Sequence, residues 1–125
     1  MIDAHNARRL MLAVTSITSG GLGSYALNLC ASFKSRGWEV HLMVTNERGN
    51  LFEEACRSFT VHDLSEQALS FGKVKRSAIV VNRVLPDILL LNHCSLLHYA
   101  LPLLHASIRP IAVVHSDDHR FYMTA

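Results

Sequence analysis

Three glycines, Gly20, Gly21 and Gly23, fall between an apolar run and a stretch with helical spacing. Glycines at the opening of a helix let the backbone come close to a ligand, and the helix start offers unsatisfied N–H groups and a partial positive charge. That chemistry suits a phosphate or another anion. The same bend also reads as a plain turn, with Ser19 or Ser24 capping the helix. Gly21, Gly23 and Ala26 further match a variant dinucleotide fingerprint, G-x-G-x-x-A, for which Glu47 near the end of the next apolar run is the ribose-binding acid. Six residues, Thr15 to Gly20, separate Val14 from Gly21, whereas that fingerprint usually starts almost where the strand stops.

Two histidines end later apolar runs. His93 follows "PDILLLN" and His115 follows "PIAVV". An imidazole, with an ordinary pKa of about 6.5, exchanges protons or donates a hydrogen bond near neutral pH. Ser116, Asp117, Asp118 and His119 continue the polar stretch after His115, where Asp117 also reads as a helix cap. No HxH or HxxxE spacing accompanies them, so no metal site is expected. His41 and His62 lie within strand-like runs and His98 and His105 within a helix-like one, all read as structural.

These groups need a frame that brings several strand ends to one edge. Arg9–Ile17, "WEVHLMVTN", "FTVHDL", "DILLLNH" and "RPIAVVHS" read as strands. Between them, Leu22–Arg36 places Leu22, Ala26, Leu29, Cys30 and Phe33 on one helical face and ends at Gly37. Asn50 is positioned to cap a short helix over Leu51–Arg57. Phe71–Leu85, with Val74, Ala78, Val81 and Leu85 inward, stops at Pro86, and Leu96–Ala106 forms a further helix containing Pro102. Alternating strands and helices with apolar central strands imply an α/β fold: a doubly wound, Rossmann-like parallel sheet with helices on both faces. Ligands of such sheets bind beyond the carboxyl ends of the strands, where the glycine bend and both histidines fall.

Composition sets the outer bounds. The 125 residues are half apolar and 18% charged, enough for one domain with a real core. A formal charge of +2 gives no ground for nucleic-acid or anionic-membrane binding, and the densest basic cluster, Lys73, Lys75 and Arg76, reads as solvated. Cys30, Cys56 and Cys94 are widely spaced and odd in number, which suits reduced thiols and a cytoplasmic protein. The twin arginines of "NARRLMLAVTS" precede too short an apolar run, with no cleavage site, to be an export signal. No stretch approaches the roughly 20 apolar residues of a membrane span.

In order along the chain, "TSGGLGSYALNLCASFKSRGWEVHLMVTN", "PDILLLNH" and "RPIAVVHSDDH" resemble the N-terminal domain of GT-B glycosyltransferases of the retaining family-4 type. Leu27, Leu29, Phe33, Gly37, Trp38, Glu39 and Val40 fill that family's helix-to-strand frame, with Trp38 where histidine is usual. The similarity runs from about Leu10 to Asp117.

The resemblance implies a nucleotide-sugar as donor substrate, no cofactor and no metal. It sets Gly20, Gly21 and Gly23 against the donor diphosphate and acceptor, and His115 at the transferred sugar as the catalytic position. It lines the acceptor cleft with His93, Ser116 and Asp117. On this reading residues 1–125 are the acceptor-side half of a larger enzyme, truncated and silent alone, because the C-terminal nucleotide-sugar domain is absent. Peripheral membrane contact through regions outside the chain, and self-association through an exposed domain interface, are further expectations. Two alternatives remain: a nicotinamide-binding oxidoreductase domain built on Gly21, Gly23, Ala26 and Glu47, and a non-catalytic α/β binding domain. A receiver domain is disfavoured because no acidic pair follows the first strand.

Overall fold

Runs of large aliphatic side chains form five strands, and the segments with 3.6-residue spacing form the helices between them. The computed structural model describes residues 7–19, 21–66, 70–92 and 94–113. In order these are β1 (Arg9–Val14), α1 (Gly21–Ser35), β2 (Glu39–Val44), α2 (Phe52–Ser58), β3 (Thr60–Asp63), α3 (Phe71–Val84), β4 (Ile88–Asn92), α4 (Ser95–Ala100), a 3-10 turn (Leu101–Leu103) and β5 (Arg109–Val113). The sheet is parallel throughout, in the order β3-β2-β1-β4-β5. The predicted α/β architecture is therefore the observed one.

Alternation along each strand divides the core in two. Leu12 lies level with Leu42 on one side and Leu90 on the other. With Leu10, Val14, Val40 and Val44 these face α1 and α2, where Ala26, Cys30 and Ala55 complete a closed cluster. Met11, Ala13, Met43, Leu89 and Leu91 point the other way, against Val74, Ala78 and Val81 of α3 and Leu96, Leu97 and Ala100 of α4. Central strands buried on both faces are what a parallel sheet requires.

Several local readings need correction. Asn50 does not cap α2: Leu51 holds that position without a side-chain cap bond, and the Asn50 amide instead pairs with Ser19. Leu85 is not inward but exposed. It ends α3 in the left-handed conformation at φ 51°, where its N–H donates to the Val81 carbonyl. Ser70 opens that helix, its hydroxyl oxygen accepting from the Lys73 N–H. The helix predicted over Leu96–Ala106 is shorter, because Pro102 directs the chain into the 3-10 turn.

Candidate functional site

The chain leaves β1 toward β2 and β3 on one side, then returns through α3 to β4 on the other. The loops after β1 and β4 consequently diverge, leaving a crevice at their carboxyl ends. Such a switch point is where open α/β sheets bind ligands. Helix α1 begins there, with Gly21 as its first residue.

The loop between β1 and α1 is held on two sides. A Cβ at Gly23 would lie 1.8 Å from the carbonyl oxygen of Thr18, and one at Gly49 would lie 2.1 Å from that of Ile17. Only residues without a side chain permit these approaches, and Gly49 also has φ +77°. Hydrogen bonds complete the clamp. Leu51 N–H donates to the Ile17 carbonyl at 2.9 Å, and Asn46 and Glu47 N–H groups donate to the Thr15 carbonyl. Ser19 N–H donates to Asn50 Oδ1 at 2.8 Å, while Asn50 Nδ2 donates to Ser19 Oγ at 2.9 Å. The missing Cβ of Gly23 is thus accounted for by packing, and the start of α1 is presented at a defined place.

Buried polar groups collect along the same edge. Thr45, directly after β2, donates through Oγ1 to the Val14 carbonyl at 3.3 Å, and Cys94 Sγ lies 3.5 Å from that hydroxyl. Asn92 ends β4 and is also buried. Lys73, in the first turn of α3, is only 4% exposed. Burial pushes the Cys94 thiol above its ordinary pKa. The Thr45 hydroxyl, the Leu97 and Leu96 N–H groups and the Lys73 ammonium oppose that.

Sequence reasoning pointed to the loops after β2 and β4 but singled out neither Thr45 nor Cys94, and it read Lys73 as solvated. For Thr45 and Asn92 the available signal was a polar residue closing an apolar run. For Lys73 there was none, since a lysine in a helix is ordinarily exposed.

Of the predicted site residues, Gly21 opens α1 and Gly23 packs on Thr18. Gly20, His93, His115, Ser116 and Asp117 lie outside the described residues, as do Asp118 and His119. Glu47 stands exposed in the loop after β2. The strand histidines turn out to be paired. His41 Nδ1 and His62 Nε2 are 2.9 Å apart, and the far nitrogen of His41 lies 2.9 Å from Glu39 Oε2, which also meets Arg9 Nε at 3.0 Å. His105 sits beyond α4 in a turn, bonded to Ser107. Among the described residues no group of three or more His, Cys, Asp or Glu gathers as a metal site, and no helix is long and apolar enough to cross a membrane.

Residues 19–124 match the family model described as Glycosyltransferase Family 4. The chain belongs to glycosyltransferase family 4. The match starts at Ser19 and takes in α1, the clamp residues Gly23, Gly49 and Asn50, and the polar edge of Thr45, Lys73, Asn92 and Cys94. Neither a curated protein nor a solved structure matches the chain. A family-4 fold is thus joined to a switch point where a helix starts and where a lysine, a hydroxyl and an amide are buried nearby.

Proposed function

We propose that this family-4 chain is the N-terminal, acceptor-side domain of a GT-B glycosyltransferase, which moves a sugar from a nucleotide-sugar to an acceptor. The observation that carries the reading is the placement of the α1 start at the switch point of a family-4 sheet. N–H groups of a first helical turn stabilise an anion, so Gly20, Gly21 and Gly23 would face the donor diphosphate as negative charge develops on the departing nucleotide. A loop clamped on both sides keeps those dipoles in place without reorganisation during transfer.

In this reading His115 meets the transferred sugar, and His93, Ser116 and Asp117 line the acceptor side. The nucleotide-sugar is a substrate, and the proposal assigns no metal or cofactor. A second domain closes the crevice and supplies the remaining contacts to the nucleotide. Three free thiols, two of them buried, suit a reducing cytoplasm.

Titration of the isotope-labelled chain with UDP- and GDP-sugars, and separately with NADH, tests the assignment. Nucleotide-sugars are expected to shift the Gly21, Leu22 and Gly23 amides, with NADH leaving them unmoved. Shifts produced by NADH alone would transfer the bend to dinucleotide binding.

A further inference from the structure

Two histidines outside the candidate site face each other across the strands at one end of the sheet. β3 is four residues long, pairs with β2 and forms an edge of the sheet. Alternation turns Val40 and Leu42 of β2 toward α1 and α2, so His41 and Met43 point to the α3 side, and His62, level with Met43, points with them. His41 and His62 thus meet on one face as a diagonal cross-strand pair, both half-buried.

Their geometry is that of a shared proton. Nδ1 of His41 and Nε2 of His62 are 2.9 Å apart, and the ring centres are 5.2 Å apart with planes inclined by 16°. The difference between those lengths is taken up by the two ring radii, so the rings lie edge to edge with the facing nitrogens on one line. Lone pairs aimed along one line share a proton and do not converge on a metal. On the far side, His41 Nε2 lies 2.9 Å from Glu39 Oε2, and an ionised carboxylate only accepts, so that nitrogen carries a hydrogen. The bond to His41 is the foremost cause holding the Glu39 carboxyl below its ordinary pKa. One hydrogen therefore fits between the rings, in the neutral pair and equally when the pair carries a single positive charge. With two charges both facing nitrogens bear hydrogens, and the bond becomes a repulsion.

The surrounding charges sharpen that limit. Glu39 is itself shared with Arg9 of β1, whose Nε lies 3.0 Å from the same oxygen. Asp63, next to His62, is engaged by Arg48 and Ser65. The helices packed on this side of the sheet bring cations and no carboxylate: Lys73, Lys75, Arg76 and Arg83 on α3, and His98 on α4. Among the described residues, a second positive charge on the pair meets no further anion from these elements.

We propose that His41 and His62 form a proton-operated latch, which holds β3 against β2 near neutral pH and releases this edge strand when both rings are charged. Burial and the neighbouring charge of His41, which lower the His62 pKa, act in the same sense. β3 leads the chain toward α3, whose first turn carries the buried Lys73, so the latch ties one side of the candidate site to proton activity. The inference is independent of sugar transfer.

Imidazole nitrogen spectra and native-state hydrogen exchange of the isotope-labelled full chain, from about pH 7.5 to about pH 5, test it. At the upper end His41 Nε2 is expected to carry its hydrogen and the facing nitrogens to share one. On acidification, after correction for intrinsic rates, protection of the Val61, His62 and Asp63 amides should fall by up to about tenfold per pH unit, the slope of one proton taken up on opening. Leu89, Leu90 and Leu91 in β4 should keep theirs. His62→Gln and His41→Gln, which put a polar amide in place of a titrating ring, should each abolish the pH dependence. Glu39→Gln, at a solvent-facing position, should move the fall to lower pH, because a charge on His41 loses its anion. Protection of β3 that ignores pH, a pH dependence that survives in both histidine variants, an equal loss in β4, or a Glu39→Gln profile at or above the parent's pH would each overturn the proposal.

Discussion

Gly23 and Gly72 occupy the first turns of two helices, and changing each to alanine makes opposite demands on the structure. At Gly72 the nearest atom to a new Cβ is Ser70 Oγ at 3.6 Å, an ordinary contact. At Gly23 the new carbon meets the Thr18 carbonyl oxygen at 1.8 Å and its nitrogen at 2.6 Å, both backbone. Relief requires Thr18 or the start of α1 to retreat by about 1 Å or more. Thr18 is held from both sides, by the bond into Ile17 and by the Ser19–Asn50 pair. Losing two or three such bonds costs about 2–3 kcal/mol at roughly 1 kcal/mol each, against a helix-propensity gain of at most about 1 kcal/mol. The net expectation for Gly23→Ala is about 2 kcal/mol of destabilisation, a fall in Tm on the order of 5–10 °C. Gly72→Ala should be neutral or slightly stabilising. Thermal melts of both variants by circular dichroism, with urea titration for ΔG, are the assay. A Gly23→Ala variant as stable as the parent would show that the loop is not clamped, and would remove the physical basis for a fixed helix start at the switch point.

Three further outcomes are expected. Gly49→Ala should destabilise by more than Gly23→Ala, because left-handed strain at φ +77° adds to contact with the Ile17 carbonyl, and urea midpoints would rank the two. Of the three thiols, only exposed Cys56 should react rapidly with a disulfide reagent in the native state. Burial pushes Cys30 up to about 12 and raises Cys94, so one fast equivalent is expected, rising to three on denaturation. Burial first, then the neighbouring charge of His41, lowers the pKa of folded His62 below 6.5. The unfolded chain thus takes up a proton that the folded chain refuses. Stability is full above about pH 6.5 and falls as the pH drops from there through the folded value. His62→Phe should flatten this part of the Tm–pH curve, and an unchanged slope in the variant would refute the assignment.

The frame and the loops it positions were legible in the sequence to different depths. Alternation of apolar runs with helical stripes yielded the doubly wound sheet, because a strand buried on both faces reads as a continuous apolar run and a helix buried on one face as a 3.6-residue stripe, and a short window shows either. The glycine bend was visible for the same local reason. Its partners were not. Asn50 has the spacing of a helix cap, and only the crossing of the loops after β1 and β2 gives its amide a better partner in Ser19. Leu85 fits the inward stripe of α3, yet the left-handed turn at the helix end carries it out to solvent.

What the sequence determined alone is therefore the class of fold, the family resemblance, and the bend that opens α1. Tertiary structure decided the close approach of Gly23 and Gly49 to the first loop, the gathering of Thr45, Asn92, Cys94 and Lys73 at one edge, and the pairing of His41 with His62. The physical reason is separation along the chain. Periodicity is set within a few residues by the backbone's own repeat, whereas these contacts join positions brought together only when the parallel strands take their order.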